Sequence, residues 1–147
     1  MSLAALIDSL PIPIVQAPMA GASSPEMALA VSLAGGLGSI AAAAFAPDAI
    51  EASAAMVRAA TPAPFAINLL VAPKSQPSAA ELDAALARLK PWYDELGAPL
   101  PERPNRFSHD FDAQFEAVLR AAPPVASFAF DLIGRARIEA LQAAGSY

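Results

Sequence analysis

The sequence predicts an α/β fold in which helices cover a parallel sheet. Short apolar runs, too brief for helices, alternate with longer amphipathic segments, and glycines or prolines separate them. Strands that alternate with helices in this way form parallel sheets through right-handed crossovers. The predicted strands occupy residues 12–15, 38–43, 65–71 and 125–130.

The amino-terminal part of the chain has the pattern of one β-α-β unit. Residues 12–15 are apolar and too few for a helix, so we expect a strand covered on both faces. A turn of small residues follows at 17–21. Ser23 or Ser24 can cap the next helix, and Gly35 supplies its left-handed end.

The later helices also carry start and stop signals. Pro47 opens the second helix, and the prolines within 61–64 end it. Ser78 and Glu81 have the spacing of a capping box, which predicts a helix from there to about residue 95. A further helix is expected over about 110–121, and a final helix ends at Gly145.

Composition limits the classes of function. The 147 residues are 56% hydrophobic, enough for one domain with a sizeable core. The formal net charge of −5 argues against nucleic-acid or anionic-membrane partners, because both favour basic surfaces. The chain has no cysteine, which excludes disulfides and thiolate metal sites, and we expect no metal. We expect a cytoplasmic protein, since no signal peptide or membrane span is visible.

Two features are candidate parts of a binding site. Asn68 is a polar amide inside an apolar strand, close to the strand's carboxyl end, where barrel active sites gather. Its partner is either neighbouring backbone or a ligand, and the sequence leaves both open. In the turn at 17–21, small side chains let a planar ring approach the backbone, while Pro18 stiffens the chain.

Other features do not support catalysis. The glycines within 35–38 follow a helix and lack dinucleotide-loop spacing. His109 precedes a helix, where a surface or structural role is expected. The loop cations could touch an anionic ligand or be solvated; these are Lys74, Arg103 and Arg106.

Taken together, the motifs resemble the nitronate monooxygenases, formerly called 2-nitropropane dioxygenases. The resemblance rests on residues 13–21, 25–28, 35–39, 65–69, 91–97, 125–130 and 143–145. It implies a TIM-type (β/α)8 barrel with FMN at the carboxyl ends of its strands. The implied reaction is the oxidation of an alkyl nitronate by dioxygen to a carbonyl compound and nitrite.

The resemblance also implies roles for particular residues. Ala17, Pro18 and Met19 would line the flavin ring, and Asn68 would hydrogen-bond to it. The family's catalytic histidine follows the fifth strand, so it would lie beyond Tyr147, and the catalytic residue is unknown.

The chain corresponds to about the first four β/α units of such a barrel. We expect residues 1–147 to form a single domain, with a helical insertion after strand 3 at about 73–122. If these residues are the whole protein, we expect paired half barrels, as a homo-oligomer, or aggregation; otherwise a carboxyl-terminal half is missing. The alternatives are another FMN barrel, such as a flavin-type enoyl reductase, and an inactive half barrel with a structural role.

Overall fold

The computed structural model of the protein describes residues 2–71, 77–104 and 107–147. The chain forms two compact units. The first consists of Met1–Ala72 with Ser108–Tyr147, and the second of Pro73–Phe107. The prediction of a single domain over 1–147 with an insertion at about 73–122 stays a prediction.

The first unit is built on a parallel sheet. Within the described residues its strands are β1 (Gly38–Ala41), β2 (Phe65–Leu70) and β3 (Val125–Ala129), in the order β1-β2-β3. Ala41 lies opposite Asn68, which in turn lies opposite Ser127. The predicted α/β class with a parallel sheet is therefore confirmed.

Helices separate the strands along the chain, and five of the six described helices belong to the first unit. The described helices are α1 (Leu3–Asp8), α2 (Pro25–Leu33), α3 (Pro47–Ala60), α4 (Ala79–Glu95), α5 (Phe111–Ala121) and α6 (Arg135–Ala143). Their ends agree with the sequence signals. Ser24 caps α2, Gly35 follows it with a φ of 97°, and Ser78 caps α4. Across the described ranges, no helix has the length and apolar character needed to cross a membrane.

Strand alternation divides the core between the two sheet faces. Ile67 and Leu69 of β2 face the helices and belong to the main core cluster. The predicted α3 face packs there, since Ile50, Ala54 and Val57 are all fully buried. Ala66 points to the opposite face and packs in a second cluster with Leu6 and Leu10, in and just after α1.

The predicted strand at residues 12–15 is reduced to a single bridge, and the prediction that it is covered on both faces is wrong. In the described range 2–71 this segment contributes one parallel bridge, between Val15 and Leu37. Its side chains are open to solvent, with Ile14 62% exposed. Backbone hydrogen bonds still attach it to the residues before β1: the Ile12 N–H donates to the Gly35 carbonyl at 3.0 Å, and the Leu37 N–H donates to the Ile14 carbonyl at 2.9 Å.

The other three predicted strands are shorter than expected, and the strand at 65–71 ends one residue early, at Leu70. The strand at 38–43 ends at Ala41, and Ala42–Ala44 forms a 3-10 helix. The strand at 125–130 ends at Ala129, because Phe130 has a φ of 82°, outside the extended region. All three changes lie at the carboxyl edge of the sheet, so the loops there begin earlier than the apolar pattern predicts.

The second unit contains α4. The predicted capping box is present: Ser78 Oγ accepts from the Glu81 N–H at 3.3 Å, and Glu81 accepts from the Ser78 N–H at 2.8 Å. Arg103 pairs with Asp83 within this unit. Lys74 and Arg106 lie outside the described residues.

Candidate functional site

The polar groups of interest lie at the carboxyl end of the sheet, on the face away from the main helical core. Asn68 is 7% exposed and shares this face with Ala66, two residues earlier on β2. Ala41 and Ser127 flank Asn68 on the neighbouring strands. Ala41 and Ala66 are small but buried, Ala66 within the second core cluster, so this part of the face is packed.

Ser127 satisfies the amide nitrogen of Asn68. Asn68 Nδ2 donates to the Ser127 carbonyl at 3.2 Å and to the Ser127 hydroxyl at 2.9 Å. Leaving this buried amide unpaired would cost about 1–3 kcal/mol. Neighbouring backbone is thus one partner of Asn68, as one of the two sequence interpretations expects.

The turn at 17–21 is held by a buried serine that follows it. Ser23 Oγ accepts from the Met19 N–H at 3.0 Å and donates to the Ala17 carbonyl at 3.1 Å. Gly21 completes the turn with a φ of 78°, which L side chains rarely adopt. Ser24 caps α2, so of the two serines predicted as possible caps, Ser23 stabilises the turn and Ser24 caps the helix.

Gln16 attaches this turn to the sheet. Its Oε1 accepts from the Ser39 N–H at 3.3 Å, and its Nε2 donates to the Ser39 carbonyl at 3.4 Å. Ser39 lies two residues before Ala41, the β1 partner of Asn68. The turn and Asn68 therefore lie at the same end of the sheet.

A side chain of α5 hydrogen-bonds to the loop after β1. Gln114 is buried, and its Nε2 donates to the carbonyls of Ala42, Ala43 and Phe45 at 3.3, 3.1 and 2.7 Å. Because this buried glutamine hydrogen-bonds to three carbonyls, it fixes the path of the loop at the end of β1.

The groups gathered here are neutral. Amide, hydroxyl and backbone groups can bind and orient a ligand, whereas acid–base chemistry needs a titrating group within about 3 Å of the substrate. The described residues hold no cluster of three or more His, Asp or Glu side chains suited to a metal ion. His109 precedes the α5 cap Asp110, whose carboxylate accepts from the Ala113 N–H at 2.9 Å.

One carboxylate lies just beyond the turn. Glu26 is in the first turn of α2, and its pKa is lowered, chiefly by a hydrogen bond with the Ser24 side chain and then by its own backbone. Both interactions favour the charged form, so Glu26 is an anion at neutral pH.

Sequence reasoning placed Ala17, Pro18, Met19 and Asn68 at this end of the sheet, and the structure locates each of them there. Ala17 and Met19 are exposed and Pro18 is half-buried, so ligand access to the turn is open. The supporting residues Gln16, Gln114 and Ser127 were not identified as site residues. A polar residue directly before the turn was the available signal for Gln16, and a serine between apolar residues was the signal for Ser127.

The parallel sheet with its helices defines a protein of the α/β class. A sequence profile of the nitronate monooxygenase family matches residues 3–147, and the chain belongs to this family. The nitronate monooxygenase of Pseudomonas aeruginosa is 40% identical over 136 residues, which are 90% of this chain and 39% of that protein. A probable nitronate monooxygenase of Bacillus subtilis is 34% identical over 144 residues, covering 93% and 39% of the two chains. The chain thus spans about two fifths of these relatives' length.

Solved structures agree with this assignment. The nitroalkane oxidase of Streptomyces ansochromogenes superposes with a TM-score of 0.79 at 34% identity, covering 97% of this chain and 40% of that one. FabK of Thermotoga maritima superposes with a TM-score of 0.62 at 24% identity, covering 97% of this chain and 34% of that one. At that identity the second likeness concerns the fold alone.

Proposed function

We propose that this chain is the FMN-binding front of a (β/α)8-barrel enzyme that oxidises alkyl nitronates with dioxygen to a carbonyl compound and nitrite. Family membership supports the reaction class. The single observation that carries the binding part is Asn68, a nearly buried amide at the carboxyl end of a parallel strand.

The residues present fit a flavin. An isoalloxazine ring is flat and offers both hydrogen-bond donors and acceptors at its edge. Asn68 offers a carboxamide at the carboxyl end of the sheet, and the turn at 17–21 at the same end exposes Ala17 and Met19 to an approaching planar group. The turn beside it has a fixed backbone, because Ser23 clamps both Ala17 and Met19.

Each predicted residue has a distinct role in this proposal. Ala17 and Pro18 would line one side of the ring, and the polarizable, half-exposed Met19 side chain would contact it. Asn68 would hydrogen-bond to the cofactor. FMN supplies the electron-accepting ring, while these residues bind and orient it and exclude water from one side.

A reconstitution experiment tests the proposal. The protein is mixed with FMN, freed of unbound flavin, and given an alkyl nitronate under air while nitrite and oxygen are measured. Retained flavin and nitrite release would support the proposal, and Asn68→Ala should retain less flavin. NADH oxidation without nitrite would instead indicate the reductase alternative, and a colourless protein would contradict flavin binding by this chain.

A further inference from the structure

The Ser127 carbonyl fixes the orientation of the Asn68 side chain. A backbone carbonyl can only accept a hydrogen bond, so the Asn68 atom 3.2 Å from it must be the amide nitrogen. The two ends of a carboxamide are otherwise hard to tell apart. Here the neighbouring strand removes the ambiguity.

Ser127 presents two acceptors to that nitrogen. Its backbone carbonyl lies 3.2 Å and its hydroxyl 2.9 Å from Asn68 Nδ2. A primary amide has two donor protons and one accepting oxygen. Because Ser127 supplies one acceptor for each of the two donors, Asn68 has its Oδ1 to offer to a bound molecule.

We propose that Ser127 is a positioning residue that commits Asn68 to accept, and not to donate, the hydrogen bond that it makes with a ligand. The inference rests on the proposed function, which places a flavin at this end of the sheet. The ligand must then present a donor to Asn68. An oxidised flavin has two kinds of hydrogen-bond donor, the N–H at ring position 3 and the ribityl hydroxyls. The ring carbonyls can only accept hydrogen bonds.

The position of the pair supports this role. Asn68 and Ser127 lie directly opposite each other on adjacent parallel strands, so the sheet holds the spacing between them. Asn68 is 7% exposed, which limits competition from water for its amide protons. The Oδ1 of an asparagine held in this way is an uncharged hydrogen-bond acceptor with a fixed direction.

The first arm of the test examines the amide without any ligand. In NMR spectra of the 147-residue chain, both Asn68 side-chain protons should exchange slowly with solvent. Ser127→Ala should release one of them, Ser127→Thr should restore its protection, and Ser53→Ala should change neither. Ser53 is the matched control because its hydroxyl donates to Ala49 within α3. Two rapidly exchanging Asn68 protons in the wild type would overturn the proposal.

The second arm identifies the donor by binding affinity. Wild type and Asn68→Ala are titrated with FMN, FMN methylated at position 3, lumiflavin, and lumiflavin methylated at position 3. Asn68→Ala should weaken FMN binding about 2- to 10-fold, the range for one neutral hydrogen bond. If wild type and Asn68→Ala bind the methylated FMN with equal affinity, the donor to Asn68 is the ring N–H. If they bind lumiflavin with equal affinity, the donor is a ribityl hydroxyl.

The two proposals fail in different ways. A difference that persists in methylated lumiflavin, which has neither donor, would overturn the acceptor role of Asn68. Absence of flavin binding by the wild type would contradict the proposed function, and the proton-exchange arm would still decide whether Ser127 engages both Asn68 protons.

Discussion

The side chain of Gln16 substitutes for a peptide group opposite Ser39. Its carboxamide exchanges two hydrogen bonds with the Ser39 backbone, at 3.3 and 3.4 Å. The backbone bridge between Val15 and Leu37 lies just before this contact. Gln16 therefore continues the attachment of the amino-terminal segment to β1 at the point where the turn at 17–21 leaves the sheet.

Replacement of Gln16 by alanine should loosen this attachment. Ser39 is buried, and loss of the partner for its N–H should cost about 1–3 kcal/mol of unfolding free energy. Urea denaturation measures the loss, and the Ser39 amide should exchange faster with solvent. Gln142→Ala is the control, since Gln142 is exposed on α6. Unchanged Ser39 protection in Gln16→Ala would show that the side chain does not serve as a ladder partner.

Ser23→Ala should free the turn without unfolding the chain. The substitution removes the acceptor for the Met19 N–H and the donor to the Ala17 carbonyl. We expect a loss of about 1–2 kcal/mol and faster hydrogen exchange at Met19.

The neighbouring serine separates this effect from general destabilisation. Ser24→Ala removes a helix cap and should cost a similar amount, about 1 kcal/mol. It should leave Met19 exchange unchanged. Equal effects of both substitutions on the Met19 amide would argue against a dedicated clamp.

Gly38→Ala should be severely destabilising. A Cβ at this position would lie 1.9 Å from the Ala28 carbonyl oxygen, and backbone cannot move aside as a flexible side chain can. Since α2 would have to shift away from β1, we expect a loss of at least about 3 kcal/mol in chemical denaturation.

Gly36→Ala is the matched control for Gly38→Ala. A Cβ there would meet the Ile14 carbonyl and Val31 Cγ1 at 3.1 Å, which a movement of a few tenths of an ångström relieves. The loss should be clearly smaller than for Gly38→Ala. Equal losses would mean that close approach of α2 to β1 does not explain the glycine at position 38.

The capping box makes the start of α4 sensitive to acid. The pKa of Glu81 is lowered, first by the hydrogen bond from the Ser78 N–H and then by that from the Ser78 hydroxyl. A carboxylate with a depressed pKa stabilises the folded form above the ordinary Glu value of about 4.3. This stabilisation is lost as the pH falls through the lower, folded pKa.

Hydrogen exchange of the α4 amides between pH 6 and pH 3 measures this effect. Wild type should lose protection in the first turn on acidification relative to Glu81→Gln, whose amide does not titrate in this range. Parallel pH profiles for the two proteins would show that Glu81 is not coupled to the helix.

The sequence identified features that local chemistry dictates. Caps at Ser24 and Ser78 and the buried face of α3 follow from side-chain types at helical spacing, so they could be predicted. The exposure of residues 12–15 could not be predicted from their apolar character, because burial depends on neighbours distant in the chain.

Local sequence patterns also do not predict the supporting contacts of the site. Gln114 meets the carbonyls after β1 across about 70 residues of chain, and Asn68 meets Ser127 across 59. Such pairs depend on strand order and register, which a single sequence does not specify. The polar residues themselves were visible, but their partners were not.

The central claim is that the carboxyl end of this sheet binds FMN through the turn at 17–21 and Asn68. Titration of the isotope-labelled 147-residue chain with FMN, followed by amide NMR, tests it most directly. The account predicts saturable shifts concentrated at Ala17, Met19 and the Asn68 side chain, and binding about 2- to 10-fold weaker in Asn68→Ala. Shifts confined to other surfaces, or no shifts at saturating FMN, would contradict it.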